Sequence, residues 1–336
     1  MKKTLIASAV ALATLASASA GAQELQLPKV YGNVQLTLAH DDIESDANGD
    51  SHSLSMGDTG STIGFSHEHE IRPGLKAFAK AEFEFLADEQ KSGGNGKGGA
   101  KGLNRGDQAF IGLQGDFGLV KVGSYDTIYD DAMSDNVYDL FEDVGDNYLT
   151  AGTTEGDTIT YYSPNYSGLQ LAAAVQVNGQ ADEDHAFMLV ASYELDSNTK
   201  VAFAFDSADN APRNGLRGDN VTIVDDADVG SAFGVSIAHK LGDIRVAASY
   251  ETQSDFGDLL GLSGVLTMGE NQFIAAVQYG MPDNNGADDS LVLSLQALHN
   301  LSSNMYVYVE ADWADNWAFE DGAERKKLVL GATYVF

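Results

Sequence analysis

The chain has 336 residues, with 50 acidic side chains, 19 basic ones, a formal net charge of −31 and no cysteine. Without cysteine there is no disulfide scaffold, no thiol catalysis and no Cys-ligated zinc or iron–sulfur site. Such a charge disfavours nucleic acid, whose phosphates need Lys and Arg to neutralise them, while the length allows one large or two ordinary domains.

Lys2 and Lys3 form a basic start, Leu5 to Leu15 is apolar, and small residues follow. This is the pattern of a secretory signal peptide. Ala20-Gly21-Ala22 and Ala18-Ser19-Ala20 both fit an A-x-A cleavage site. Cleavage after Ala22 is favoured, making 1–22 a removed signal and 23–336 the working chain. Removal takes two lysines and no acid, so the remainder is still more acidic. No later run of eighteen apolar residues follows, so the sequence predicts no helical membrane span beyond the signal.

After residue 28 the apolar residues recur with period two. Leu75, Ala77, Ala79, Ala81, Phe83 and Phe85 share one parity, while Lys76, Phe78, Lys80, Glu82 and Glu84 share the other. A strand puts these sets on opposite faces, whereas a helix would mix them. The pattern predicts sixteen strands: 29–41, 61–71, 75–87, 107–115, 119–125, 158–164, 169–178, 185–195, 200–207, 231–241, 244–252, 259–268, 272–280, 289–298, 305–313 and 326–336. The segment 259–268 is the least regular, because Gly261 and Gly264 blur its alternation.

The connections alternate as well. Short turns fall at 72–74, 116–118, 165–168, 196–199, 242–243, 269–271 and 299–304; long polar segments fall at 42–60, 88–106, 126–157, 208–230 and 314–325. A soluble sandwich also has period two, since it buries one face against a second sheet. The even strand count, the short and long connections, and the aromatics near strand ends (Tyr31, Tyr161, Tyr193, Tyr250, Tyr279, Tyr334) favour another fold. That fold is all-β, a sixteen-stranded antiparallel transmembrane β-barrel with short periplasmic turns and long extracellular loops. In lipid every backbone N–H and C=O needs an internal partner, so the sheet must close. Sixteen strands leave a lumen too wide for side chains to fill, hence an aqueous channel.

Several motifs carry a family resemblance. Tyr31-Gly32-Asn33-Val34 is similar to a first strand, and Gly74-Leu75-Lys76-Ala77 to the start of a third. The run A-F-I-G-L-Q-G-D-F-G at 109–118 gives a strand, a Gly-Asp turn and the next strand, and is the most specific match. Tyr162-Ser163-Pro164 with Gly168-Leu169 matches a turn, and the chain ends on Phe336 after Tyr334, Ala332, Leu330 and Leu328 at two-residue steps. With these motifs the chain resembles the general diffusion porins of Gram-negative outer membranes, which are sixteen-stranded homotrimers. The resemblance implies an outer-membrane channel for passive diffusion, contacts with outer-membrane lipid and lipopolysaccharide, and no cofactor. It also implies that Leu328, Leu330, Tyr334 and Phe336 form the signal read by the barrel assembly machinery. Finally, it implies that 126–157 is a third loop folded into the pore as its constriction.

The 126–157 segment carries Asp126, Asp130, Asp131, Asp135, Asp139, Glu142, Asp143 and Asp146, and no Lys or Arg. Alone this reads as a solvated acidic loop; with the resemblance it reads as an acidic pore eyelet. The family sets arginines on the wall opposite. Here the expected positions hold Asp107, Ser124, and Glu155 or Gly156; Arg105, two residues before Asp107, is the available substitute. Lys76, Lys80 and Lys121 complete the expected basic wall. One unit charge about 7 Å from an ion in water contributes roughly 0.6 kcal/mol, and physiological salt screens over about 8 Å. A few net acids at the eyelet therefore give a modest cation preference that falls as salt rises.

Other motifs carry less. His67 and His69 have zinc-chelating spacing on one strand face, but a site needs more ligands. Asp46, Asn48 and Asp50 lack the glycine order and the closing glutamate of a calcium loop. Acidic loops of this kind bind divalent cations loosely at most, and such ions would bridge to lipopolysaccharide phosphates. The Gly-rich run Ser92 to Gly102 lacks the phosphate-loop pattern. No G-x-S-x-G elbow or Ser/His or Asp/His constellation supports an enzyme. A solute-specific channel is the alternative function. It would need an aromatic ladder or a concentrated basic cluster in the pore, and the sequence shows neither.

Overall fold

A computed structural model describes residues 27–45, 49–88, 105–134, 137, 139–144, 155–177, 185–207, 230–254, 257–283, 287–317 and 320–336. The signal segment 1–22 lies outside them. In chain order the strands are β1 (Lys29–Glu44), β2 (Ser51–Asp58), β3 (Thr62–Arg72), β4 (Leu75–Glu84), β5 (Arg105–Gly115), β6 (Gly118–Asp126), β7 (Glu155–Tyr162), β8 (Leu169–Gln176) and β9 (Ala186–Asp196). They continue as β10 (Thr199–Asp206), β11 (Ala232–Leu241), β12 (Ile244–Gln253), β13 (Gly257–Met268), β14 (Asn271–Pro282), β15 (Ser290–Asn300), β16 (Met305–Asp315) and β17 (Glu324–Val335). A single short helix, α1 (Ile128–Met133), follows β6 among the described residues.

Apart from β2 and β3, which both pair with β1, each strand pairs antiparallel with its sequence neighbour, and β17 returns to β1 from Asn33↔Val335 to Glu44↔Glu324. Gly32 and Phe336 exchange two backbone hydrogen bonds of 3.0 Å at the seam. The barrel is thereby closed and no edge is left for lipid to meet. β2 and β3 are two halves of one wall strand, because both pair with β1 and their registers differ by one residue. The wall is therefore sixteen-stranded, as the alternation predicts.

The step between β2 and β3 has a local cause. Gly60 takes φ +116, a conformation that favours glycine. The Asp58 carboxylate accepts from the amides of Gly60 (2.9 Å), Ser61 (2.8 Å) and Ala87 (2.8 Å), tying the bend to the next connection. Part of the expected 42–60 loop is thus strand. Ser51 to Met56 are exposed, and β2 carries little apolar alternation for a sequence reading to detect.

Parity sorts the two barrel surfaces. On β10, Phe203 is 60% exposed between Ala202 at 4% and Ala204 at 6%. Leu171, Leu189, Phe203, Phe233 and Leu262 belong to the outward, lipid-facing surface, while alanines and polar residues face the lumen. Tyr161, Tyr193, Tyr250 and Tyr334 sit exposed near strand ends, where amphipathic rings form the girdles of such barrels. Tyr31 does not join them: it turns inward, its ring lying over Gly64. Leu328, Leu330 and Tyr334 share the outward face of β17, and Phe336 follows half-exposed.

Candidate functional site: the lumen and its acidic segment

The chain leaves β6 at Asp126 and re-enters the wall at Glu155, so the connection is slightly shorter than 126–157. Thr127 caps α1, its hydroxyl accepting from the Asp130 amide at 3.2 Å. The Ser236 hydroxyl of β11 donates to the Ala132 carbonyl at 2.7 Å. Ile128 packs on Ala172, Ala174, Ala186 and Met188, and Tyr129 and Met133 pack on Ala202, Ala204, Ala232 and Leu259. These wall residues have lumenal parity. Alanine at so many of them leaves room for a helix that larger side chains would displace. Gly234 goes further, since an added Cβ would overlap the Met133 side chain.

The segment then crosses to the far wall. Val137 packs with Ala247, Val292 and Ala314, and Val144 with Ala39, Tyr308 and Val329. The Glu310 carboxylate of β16 accepts from three successive amides, Glu142 (2.7 Å), Asp143 (3.0 Å) and Val144 (3.1 Å), and from the Gln296 amide nitrogen (2.7 Å). The Tyr306 hydroxyl donates to Glu142 at 2.8 Å, and Lys327 pairs with Asp143 at 2.7 Å. Burial pushes the Glu142 carboxyl above the ordinary carboxylate range; the Tyr306 hydrogen bond opposes this and the Glu310 charge adds to it.

The predicted acidic residues thus have distinct settings. Asp126 accepts from Gln108 at 2.8 Å. Asp130 is buried, accepting from Ser134 at 2.5 Å, while Asp131 and Asp139 are exposed. Glu142 and Asp143 are tied to the far wall. Asp135 and Asp146 lie outside the described residues.

The predicted basic wall is more scattered. Lys80 lies 3.2 Å from the Gln108 side-chain oxygen and 3.4 Å from Glu82. Lys121 stands over the Tyr125 ring, 3.5 Å from its centroid. Lys76 sits near the turn end, exposed, 3.5 Å from Glu68. Arg105 opens β5 opposite Glu84, below a register shift that breaks the parity running back from Ala109.

Two features escape the sequence reading. The first is a basic pair on β17: Arg325 forks onto Asp41 (2.6–3.2 Å) and stacks over Trp317 at 4.4 Å, with Lys327 two residues on. Both share lumenal parity with Val329 and Thr333. The signal is present in E-R-K-K, but alternation begins the expected strand at 326, two residues after its start at Glu324. The second is a set of aromatic rings on the lumenal wall. Phe78 meets Phe110 edge-on (6.2 Å), Phe110 meets Tyr125 (5.5 Å), and Tyr31 lies beneath Lys80. These rings come from four strands, so no single stretch of sequence shows them as a ladder.

Residues 7–318 match the family model for Gram-negative porins. The chain belongs to that family. Over its whole length it is 30% identical to a monosaccharide porin of a Halomonas species and to the major outer membrane protein of Halomonas elongata, with 100% of each covered. Among solved structures it is similar to an anion-selective porin from Comamonas acidovorans, with a TM-score of 0.70 and 17% identity, over 92% of this chain and 99% of that one. That likeness shows the fold. As a Gram-negative porin the protein is an outer-membrane channel for diffusion, and the family's members are channels, not enzymes.

Proposed function

We propose that this porin is a passive route for small hydrophilic solutes and ions, with a preference for cations set by the acidic segment after β6. The supporting observation is the path of that segment. Its helix rests on lumenal alanines, and its Glu142–Val144 amides are held by Glu310 on the far wall. A segment so held narrows the lumen and acts as its constriction. Asp126, Asp131 and Asp139 then border the path of a solute, with Glu82 on the wall. The nearby cations are largely engaged: Arg325 on Asp41, Lys327 on Asp143 and Lys80 near Glu82. Lys121 offsets part of the charge of Asp126 and Asp131, and the acids left over give a potential that favours cations without binding them tightly.

In this reading the porin works as a homotrimer in outer-membrane lipid and lipopolysaccharide. The outward face of Leu328, Leu330, Tyr334 and Phe336 serves as the signal for the barrel assembly machinery. Divalent cations associate only loosely with the acidic loops. The names of the Halomonas and Comamonas relatives describe a monosaccharide and an anion-selective porin, so lumen chemistry differs between chains of this fold. Liposome swelling tests the reading with a cationic and an anionic solute of equal size. Faster entry of the cation is expected, and equal or reversed rates would overturn the charge assignment. A second reading, a channel with a solute-binding site in the lumen, is favoured by the aromatic rings.

A further inference from the structure

On the lumenal side of β3–β6, near the turn end of the barrel, lies a recess of about 790 Å³. Its size is that of a small-ligand pocket. Phe78 forms part of its floor. The ring covers Gly112 of β5, where an added Cβ would overlap it. A half-buried ring lying against a wall that has no side chain beneath it presents its other face to the lumen. Phe110 stands beside it at 76°, making an apolar step. Ser66, Glu68, Lys80 and Gln114 line the same recess, supplying hydroxyl, carboxylate, ammonium and amide groups around the floor.

A flat aromatic face rimmed by mixed donors and acceptors suits one solute class. A pyranose sugar has a face of C–H bonds and an edge of hydroxyls. Its polarised C–H groups lie against the negative face of an aromatic ring, and its hydroxyls both donate to and accept from such a rim. The rim carries both signs of charge, Glu68 against Lys80 and Lys29, and the stacking face of a neutral pyranose depends on neither. A neutral ligand is also indifferent to the acidic lumen above it.

We propose that this recess is a weak stacking subsite for neutral pyranose sugars passing through the channel. The inference rests on the diffusion-channel reading and adds a binding step to it. The test is ion current through purified porin in planar bilayers, titrated with maltose and, separately, with the open-chain polyol sorbitol. Maltose should reduce the current along a saturating curve, while sorbitol follows only the viscosity of the solution. Phe78→Leu keeps apolar cover on Gly112 but removes the flat face, and should raise the half-saturating maltose concentration about fivefold. Phe78→Tyr should restore it. Heat-modifiable gel mobility confirms that each variant is folded. Conductance with no saturable maltose effect, or with the same half-saturation in Phe78→Leu, would overturn the subsite alone. Absence of any conductance would overturn the channel reading and the subsite together.

Discussion

Removing the Glu310 carboxylate should free the far end of the lumenal segment. Three backbone amides converge on this one side chain, at 2.7 to 3.1 Å. Glu310 is only 1% exposed and Val144 is fully buried, so water does not readily replace the lost acceptor. A hydrogen bond to a charged group contributes about 1.5–3 kcal/mol. Taking the low end, because Glu142 and Asp143 are only partly buried, Glu310→Ala removes about 4 kcal/mol of docking. A shift of that size changes the ratio of docked to undocked segment roughly a thousandfold. Glu310→Gln keeps one acceptor oxygen and should lose about half as much. Single-channel recording reads the result. Glu310→Ala should show larger open-channel noise and altered conductance, with Glu310→Gln between it and the parent. If both variants folded and conducted with unchanged noise, amplitude and selectivity, the anchored segment would not be the element that shapes the pore.

Gly234→Val places a branched side chain where Met133 and Tyr129 pack. It should displace α1 at a cost of about 1–3 kcal/mol, seen as increased current noise without loss of the barrel's heat-modifiable mobility. Arg325→Ala leaves Asp41 without its bidentate partner in a half-buried site, and should lower the thermal denaturation midpoint of the barrel while increasing cation preference. The raised pKa of Glu142 predicts a pH effect of definite sign. Its contribution to docking is fully present below the ordinary carboxylate pKa, about 4.3, and is lost as pH rises through the raised value. Open-channel noise should therefore fall on acidification through that window. Cation preference should fall with it as carboxylates protonate. Noise that rises as pH is lowered would contradict the assignment.

The wall of the barrel was legible because lipid imposes a rule on every strand: one face apolar, the next residue turned inward. Even Gly257–Met268, where glycines blur the alternation, forms a full strand, since its ladder partners on both sides fix it. Where the rule lapses, the reading lapses too. Ser51–Asp58 lacks clear apolar alternation, and the sequence pattern reads it as loop where the structure has strand. The step at Gly60 and the slip between Ala81 and Phe83 change register locally, so parity counted back from Ala109 does not carry through to Arg105, whose backbone pairs with Glu84. The lumen was harder still. Its ring cluster draws on β1, β4, β5 and β6, and the Glu310 anchor joins residues 168 positions apart in the chain. Periodicity carries no information about such pairings. The inward path of the acidic segment was suggested only by family resemblance. The alanines at 172 and 174 that accommodate Ile128 of α1 become meaningful once the helix is seen against them.

In the proposed reading, acids on the lumenal segment bias the channel toward cations. The most direct test is the reversal potential of the purified porin in a planar bilayer under a tenfold KCl gradient, repeated at higher mean salt. A potential favouring K⁺ that shrinks as salt increases is the expected result, since screening over about 8 Å at physiological salt shortens further as ions are added. A potential favouring Cl⁻ would mean that Lys80, Lys121 and the β17 cations govern the lumen, and the account of its charge would be wrong.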